Sequence, residues 1–119
     1  MEIGEFSRRV GLSIDTLRYY EKQGFLRPKR TAGNHRLYDE KDLKWVDFLK
    51  RLKQTGMPIR EIRYYSQLRE QGLSTVDERL QLLVVQEERL QQQAKQTQTY
   101  LDFIHQKMAV YRQLKEERH

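Results

Sequence analysis

Cysteine does not occur in this 119-residue chain, proline occurs only twice and histidine only three times. Without a thiol there can be no disulfide, no thiolate nucleophile and no thiolate-bound metal or iron–sulfur centre. The histidines His35, His105 and His119 are scattered, and although Asp102 and His105 make an i, i+3 pair, no His/Asp/Glu set has ligand spacing. No metal and no cofactor are therefore expected. A glycine loop able to cradle phosphate is missing, and no nucleophile stands beside a base at recognisable spacing, so catalysis is not expected either. The acid pairs Asp39-Glu40 and Glu87-Glu88 fit helix caps and solvated faces better than an active site. No apolar run approaches the ~20 residues that span a bilayer. The opening "MEIGEFSRRVG" has no signal-peptide core. The expectation is a soluble, cytoplasmic protein without a membrane partner.

What the chain has in quantity is charge. Hydrophobic residues make up 37% and charged residues 34%, which suits a small domain plus an extended solvated element better than one large core. The net charge of +6 is unevenly placed: residues 1–72 carry 16 Lys/Arg against 10 Asp/Glu, whereas residues 73–119 carry 7 of each. A basic first domain attracts phosphate backbones, anionic membranes or acidic proteins.

Local signals divide that domain into short elements. Phe6 and Val10 share one helical face, and Gly11 stops that helix because glycine accepts the left-handed conformation. Ser13 suits the N-cap of a second helix, Asp15 complements its dipole, and Leu12 with Leu17 have the spacing of a hydrophobic staple. Gly24 ends the second helix, and the pair matches a helix-turn-helix. Pro28 bars continuation and Gly33-Asn34 marks a turn, so residues 27–38 read as a two-stranded wing. Asp39 caps a third helix reaching Thr55, with Leu43, Val46, Leu49 and one of Leu52 or Phe48 facing inward. After "TGMP", Ile59, Ile62 and Leu68 mark a fourth helix ending near Gly72.

Beyond "GLS" the pattern changes to a strict 4-3 spacing. Its positions hold Val76, Leu80, Leu83, Glu87, Leu90, Ala94, Thr97, Leu101, Ile104, Met108 and Tyr111, of which only Glu87 and Thr97 are polar. That is a coiled-coil seam on one helix from about Thr75 to Glu117, roughly 60 Å long at ~1.5 Å per residue. The chain has no second long helix to cover it, so a second copy is the expected partner, giving a two-fold homodimer. "QQQAKQTQT" is then the exposed flank of the same helix.

The stretch "TLRYYEKQGFL" carries the functional signal. Tyr19 and Tyr20 are neighbours, about 100° apart on a helix, so both cannot enter one core stripe. One ring is expected to pack on the core, while Arg18 and the other tyrosine face water. A basic, dimeric helix-turn-helix with a wing suits double-stranded DNA, its second helix entering the major groove. Thr16 and Arg18 then lie nearest base edges, where arginine pairs bidentately with guanine, and the hydroxyls of Tyr19 and Tyr20 can bond phosphate.

The segments "IGEFSRRVGLSIDTLRYYEKQGFLRPKR", "HRLYDEKDL" and "LKQTGMPIREI", in this order, resemble the MerR-type transcriptional regulators. The resemblance is close over residues 1–72 and architectural beyond. It implies a mainly α fold: a winged helix-turn-helix DNA-binding domain at 1–72 with a small β-hairpin wing, and a long C-terminal helix at 73–119 forming an antiparallel coiled-coil dimer. Such proteins bind pseudo-palindromic promoters whose elements are spaced too far apart, and bend and untwist the DNA so that RNA polymerase engages both. By position, Thr16, Arg18 and Tyr19 belong to the recognition helix. Arg36 and Tyr38 hold the wing to phosphate with His35 beside them, and Arg60 contacts phosphate from a second wing. The alternatives are an architectural or excisionase-like DNA-bending factor, which has a similar winged fold, and a coiled-coil adaptor for an acidic protein.

No effector is identified. The segment "FLKRLKQTGMPI" resembles a subgroup that senses electrophiles through a cysteine, and here Arg51 stands at that place. A small-molecule pocket would lie between the two parts, lined by Trp45, Tyr64, Tyr65, Tyr100, Phe103 and Tyr111, although aromatics there also suit core and interface packing.

Overall fold

The computed structural model describes residues 1–118; His119 lies outside the described residues. Helices α1 (Ile3–Val10) and α2 (Ile14–Lys22) come first, then strands β1 (Lys29–Arg30) and β2 (Arg36–Leu37). Helices α3 (Glu40–Gln54) and α4 (Ile59–Glu70) follow, and a 3₁₀ turn at Gly72–Thr75 leads into α5 (Val76–Glu117). The fold is mainly helical with a two-stranded wing and a long C-terminal helix, as the sequence predicts.

The helix ends are where local chemistry puts them. Gly11 adopts φ 72°, and its N–H donates to Ser7 O, closing α1. The Ser13 hydroxyl accepts from the Thr16 N–H at 3.1 Å and opens α2. At the start of α3, Asp39 and Asp42 form a capping box, each carboxylate accepting the other's backbone N–H at 3.0 Å. The Asp42 N–H holds the Asp39 carboxyl below its usual range. In the wing, β1 and β2 run antiparallel with Lys29 opposite Leu37 and Arg30 opposite Arg36. The turn places Asn34, not Gly33, at positive φ (62°), which asparagine tolerates better than most residues.

The chain divides into two compact units, Met1–Leu83 and a second beginning at Val84. One continuous core fills the first, drawn from α1, α2, the loop after α2, α3 and α4. Phe6, Leu17, Val46, Leu49 and Ile62 are fully buried there. Trp45, left out of the predicted stripe of α3, is in it too, stacked on Phe48 and Tyr65 and donating its indole N–H to Phe25 O at 2.6 Å. Ile59, at the first position of α4, is exposed, whereas Ile62 and Leu68 are buried. The first unit includes the opening turns of α5, past the expected boundary at residue 72. Leu82 and Leu83 pack against the core, and Arg79 donates to Thr75 Oγ1 and Gly72 O at 3.1 and 2.8 Å. Leu83 is thus partly used inside its own unit, which reading it purely as a seam position missed. In the second unit Leu90, Leu101, Ile104, Met108 and Tyr111 are exposed.

Candidate nucleic-acid interface

Helix α2 lies with Leu17 and Tyr20 inward and Arg18 and Tyr19 outward, a consequence of the 100° step between neighbours. Arg18 is exposed and its nearest acid, Asp15 in the first turn, stands 3.9 Å away, too loosely held to fix the guanidinium. The half-buried Thr16 hydroxyl accepts from Ser13 Oγ at 2.9 Å and keeps its own hydrogen to donate. Tyr19 is 47% exposed. Thr16, Arg18 and Tyr19 thus lie on one free stretch of helix, able to offer a hydroxyl, a bidentate donor and a phenol to a ligand laid along α2.

Two of the expected contacts are placed otherwise. Tyr20 is 3% exposed, its ring edge-on to Phe25 with Lys53 Nζ 5.0 Å from its centroid. Among the described residues its hydroxyl is met by Lys53 Nζ, at 3.5 Å. Tyr38 is 1% exposed and stacks on Phe6 with centroids 4.2 Å apart. Its hydroxyl is buried without a hydrogen-bond partner among the described residues, and burial pushes its pKa above the ordinary tyrosine value, with the Glu21 carboxylate adding to the effect. In this conformation neither phenol is presented to a phosphate. The reason is packing: both rings fill the core between α1, α2 and α3.

An unpaired buried hydroxyl costs about 1–3 kcal/mol, so removing it without changing shape is nearly neutral or favourable. Tyr38→Phe is accordingly expected to keep or raise stability, by up to about 1 kcal/mol, with DNA affinity unchanged. Denaturant unfolding and a binding titration check it, and a tenfold affinity loss would return the hydroxyl to the phosphate.

The wing places His35 and Arg36 together, with Glu2, Ile3 and Asn34, around an open cleft of about 270 Å³. Arg36 is half-buried and His35 exposed. Arg60 is exposed in the first turn of α4, behind Pro58. The residues that sequence reasoning missed are acidic and basic partners within this face. Glu21 of α2 pairs with Arg30 of β1 at 2.6 Å and with Arg36 of β2. Glu21 lies inside "TLRYYEKQGFL", but nothing in the linear order ties it to residues 30 and 36. Arg63 of α4 similarly donates to Gln23 O and Gln23 Oε1, fastening α4 to the end of α2.

Trp45 and Tyr65, named as pocket residues, are core residues of the first unit. Arg51, at the expected cysteine position, is exposed and pairs with Asp47 one turn earlier at 3.2 Å. Among the described residues no group of three His, Cys, Asp or Glu side chains could hold a metal ion. No helix among them is long and apolar enough to cross a membrane. On α5 a second exposed apolar row, Tyr100, Phe103, Val110 and Leu114, runs beside the seam. Its 3-4 spacing is legible in the sequence, one position off the seam register.

Residues 1–74 match the MerR HTH family regulatory proteins. The chain belongs to the MerR family. Among its MerR-type relatives, an uncharacterised HTH-type transcriptional regulator of Haemophilus influenzae is 34% identical over 110 residues, covering 92% of this chain and 82% of that protein. The HTH-type transcriptional regulator AdhR of Bacillus subtilis is 37% identical over 91 residues, 76% of this chain but 65% of its own length. Among solved structures, HiNmlR, described as a MerR family regulator lacking the sensor domain and bound to promoter DNA, superposes with a TM-score of 0.76. It shares 32% identity, over 96% of this chain and 91% of that one.

Proposed function

We propose that this MerR-family protein is a sequence-specific DNA-binding transcriptional regulator. In this reading it acts in the cytoplasm as a homodimer joined by an antiparallel coiled coil of α5. It binds a pseudo-palindromic promoter and bends and untwists the spacer so that RNA polymerase engages both promoter elements. Smooth bending of a site costs on the order of several kcal/mol, offset by phosphate and base contacts. The observation that carries the reading is α2: a capped helix in a basic unit that keeps Leu17 and Tyr20 inside while presenting Arg18 and Tyr19. Family membership and the promoter-bound relative support it. Residues Thr16, Arg18 and Tyr19 read or line the major groove, and Arg36, His35 and Arg60 meet phosphate. The exposed row Leu90, Leu101, Ile104, Met108 and Tyr111 meets its copy, together with Val76, Leu80 and Ala94.

The test is binding to the gene's own promoter DNA and to a random duplex across a salt series. A steep salt slope with strong preference for the promoter supports a regulator, since phosphate neutralisation alone gives the slope without the preference. Equal affinity for both would favour an architectural, DNA-bending role. Within this reading Arg18→Ala is expected to lose about 1–3 kcal/mol of discrimination at one base pair. Competition with singly substituted duplexes measures it; uniform weakening on all duplexes would make Arg18 a phosphate contact.

A further inference from the structure

We propose that Glu21 is a positioning residue that locks the wing to the recognition helix, so that Arg36 and Arg18 meet DNA in register. The proposal rests on the DNA-binding reading above. Its basis is the one carboxylate that joins α2 to both strands of the wing. Arg30 Nη2 lies 2.6 Å from Glu21 Oε1, and Arg36 Nε donates to Glu21 Oε2.

Three features separate this pair of contacts from an ordinary surface bridge. First, Arg30 and Arg36 are directly opposed in the hairpin register, and like charges so placed repel. Glu21 sits against both and offsets that repulsion. Second, the strands have two residues each, and a hairpin of that size has little stability of its own. Within the hairpin the other ties are short-range: Thr31 N–H to His35 O and Asn34 N–H to Thr31 O, both 2.9 Å, and His35 N–H to Thr31 Oγ1 and Arg30 Nη1 to Asn34 O, both 3.3 Å. Its base is fastened to the N-terminus by Tyr38 and Met1, so Glu21 is what ties the hairpin to α2. Third, the Glu21 side chain is 20% exposed, whereas Glu40, which pairs with Arg9 across α1 and α3, is 71% exposed. Exposed single pairs are worth little, while a shielded carboxylate with two charge-assisted bonds holds its geometry. The Arg36 contact uses Nε, which leaves the outer nitrogens of that guanidinium to meet phosphate.

Replacing a carboxylate on a DNA face separates positioning from charge, because the two predict opposite signs. Glu21→Gln removes a negative charge, and phosphate attraction alone would then tighten binding to every duplex. If Glu21 positions the wing, preference for the promoter over a random duplex instead falls about tenfold while random-duplex affinity holds or rises. Glu40→Gln makes the same change in charge at a carboxylate that pairs with Arg9 and not with the wing arginines, and is expected to leave the preference intact. Hydrogen exchange of the free protein gives a readout that needs no DNA. Glu21→Gln is expected to speed exchange of the Thr31 and Asn34 amides about tenfold, with α3 amides unchanged.

Unchanged wing exchange, or equal promoter preference in the two variants, overturns the proposal. Exchange that rises equally in α3 overturns it too, since Glu21 would then support the whole unit and not the wing. An unmodified protein that binds both duplexes equally, with fast wing exchange in Glu21→Gln, overturns the regulator reading and leaves the lock between α2 and the wing standing.

Discussion

Leu90→Asp is expected to yield a folded monomer that binds its promoter on the order of 10²–10⁴ times more weakly than the unmodified protein. Leu90 is an exposed apolar residue of α5, flanked along the seam by Ala94, Leu101, Ile104 and Met108. In a two-fold pairing each copy brings its own introduced aspartate, so two carboxylates are added to a mostly apolar seam that already carries Glu87 one seam position before. Burial of an unpaired charge costs several kcal/mol, enough to dissociate a modest coil at working concentrations. The DNA-binding unit is expected to survive, since Leu90 lies outside Met1–Leu83. A monomer bears the entropy of association at each half-site separately, which is where the affinity goes. Sedimentation reads the mass, circular dichroism the fold, and a titration with promoter DNA the affinity. A folded monomer binding as tightly as the unmodified protein would sink the coiled-coil argument.

Phe6→Ala should cost about 3–5 kcal/mol of unfolding free energy. Phe6 is fully buried, stacked on Tyr38 and set among residues of the single core of the first unit. Its removal deletes the transfer free energy of the ring and leaves a cavity beside a tyrosine whose hydroxyl already lacks a partner. Small domains have only about 5–15 kcal/mol in total, so the loss is a large share of the unit's stability and is expected to lower its unfolding midpoint. Urea unfolding followed by Trp45 fluorescence measures the loss, because Trp45 is buried in the same core. A loss below about 1 kcal/mol would mean that the site collapses around the gap.

Much of the fold was legible in the linear chain because the signals that set it are local. Gly11, Ser13, Asp39 and Gly72 act through backbone groups within a turn of themselves, and the structure has helix ends at each. The repeat along α5 needs only its own spacing, and the helix runs Val76–Glu117 against an expected start at Thr75. The motifs that signalled the MerR family are likewise contiguous strings.

What tertiary structure alone decided is the rotation of each helix about the core and the partners that rotation creates. "TLRYYE" says that Tyr19 and Tyr20 point apart, but which one is inside depends on Phe25 and Lys53 arriving from later in the chain. Tyr38 reads as a wing residue, yet its backbone exchanges hydrogen bonds with Met1, N–H to O at 2.8 Å and the Met1 nitrogen to Tyr38 O at 2.6 Å. That pairing and the stacking on Phe6 turn its ring inward. Glu21 reads as one more solvent-facing charge until the hairpin folds back and brings Arg30 and Arg36 to it. Helix ends are fixed by interactions between near neighbours, whereas these contacts join residues up to 37 positions apart. Such contacts form only once the core has chosen which faces to bury.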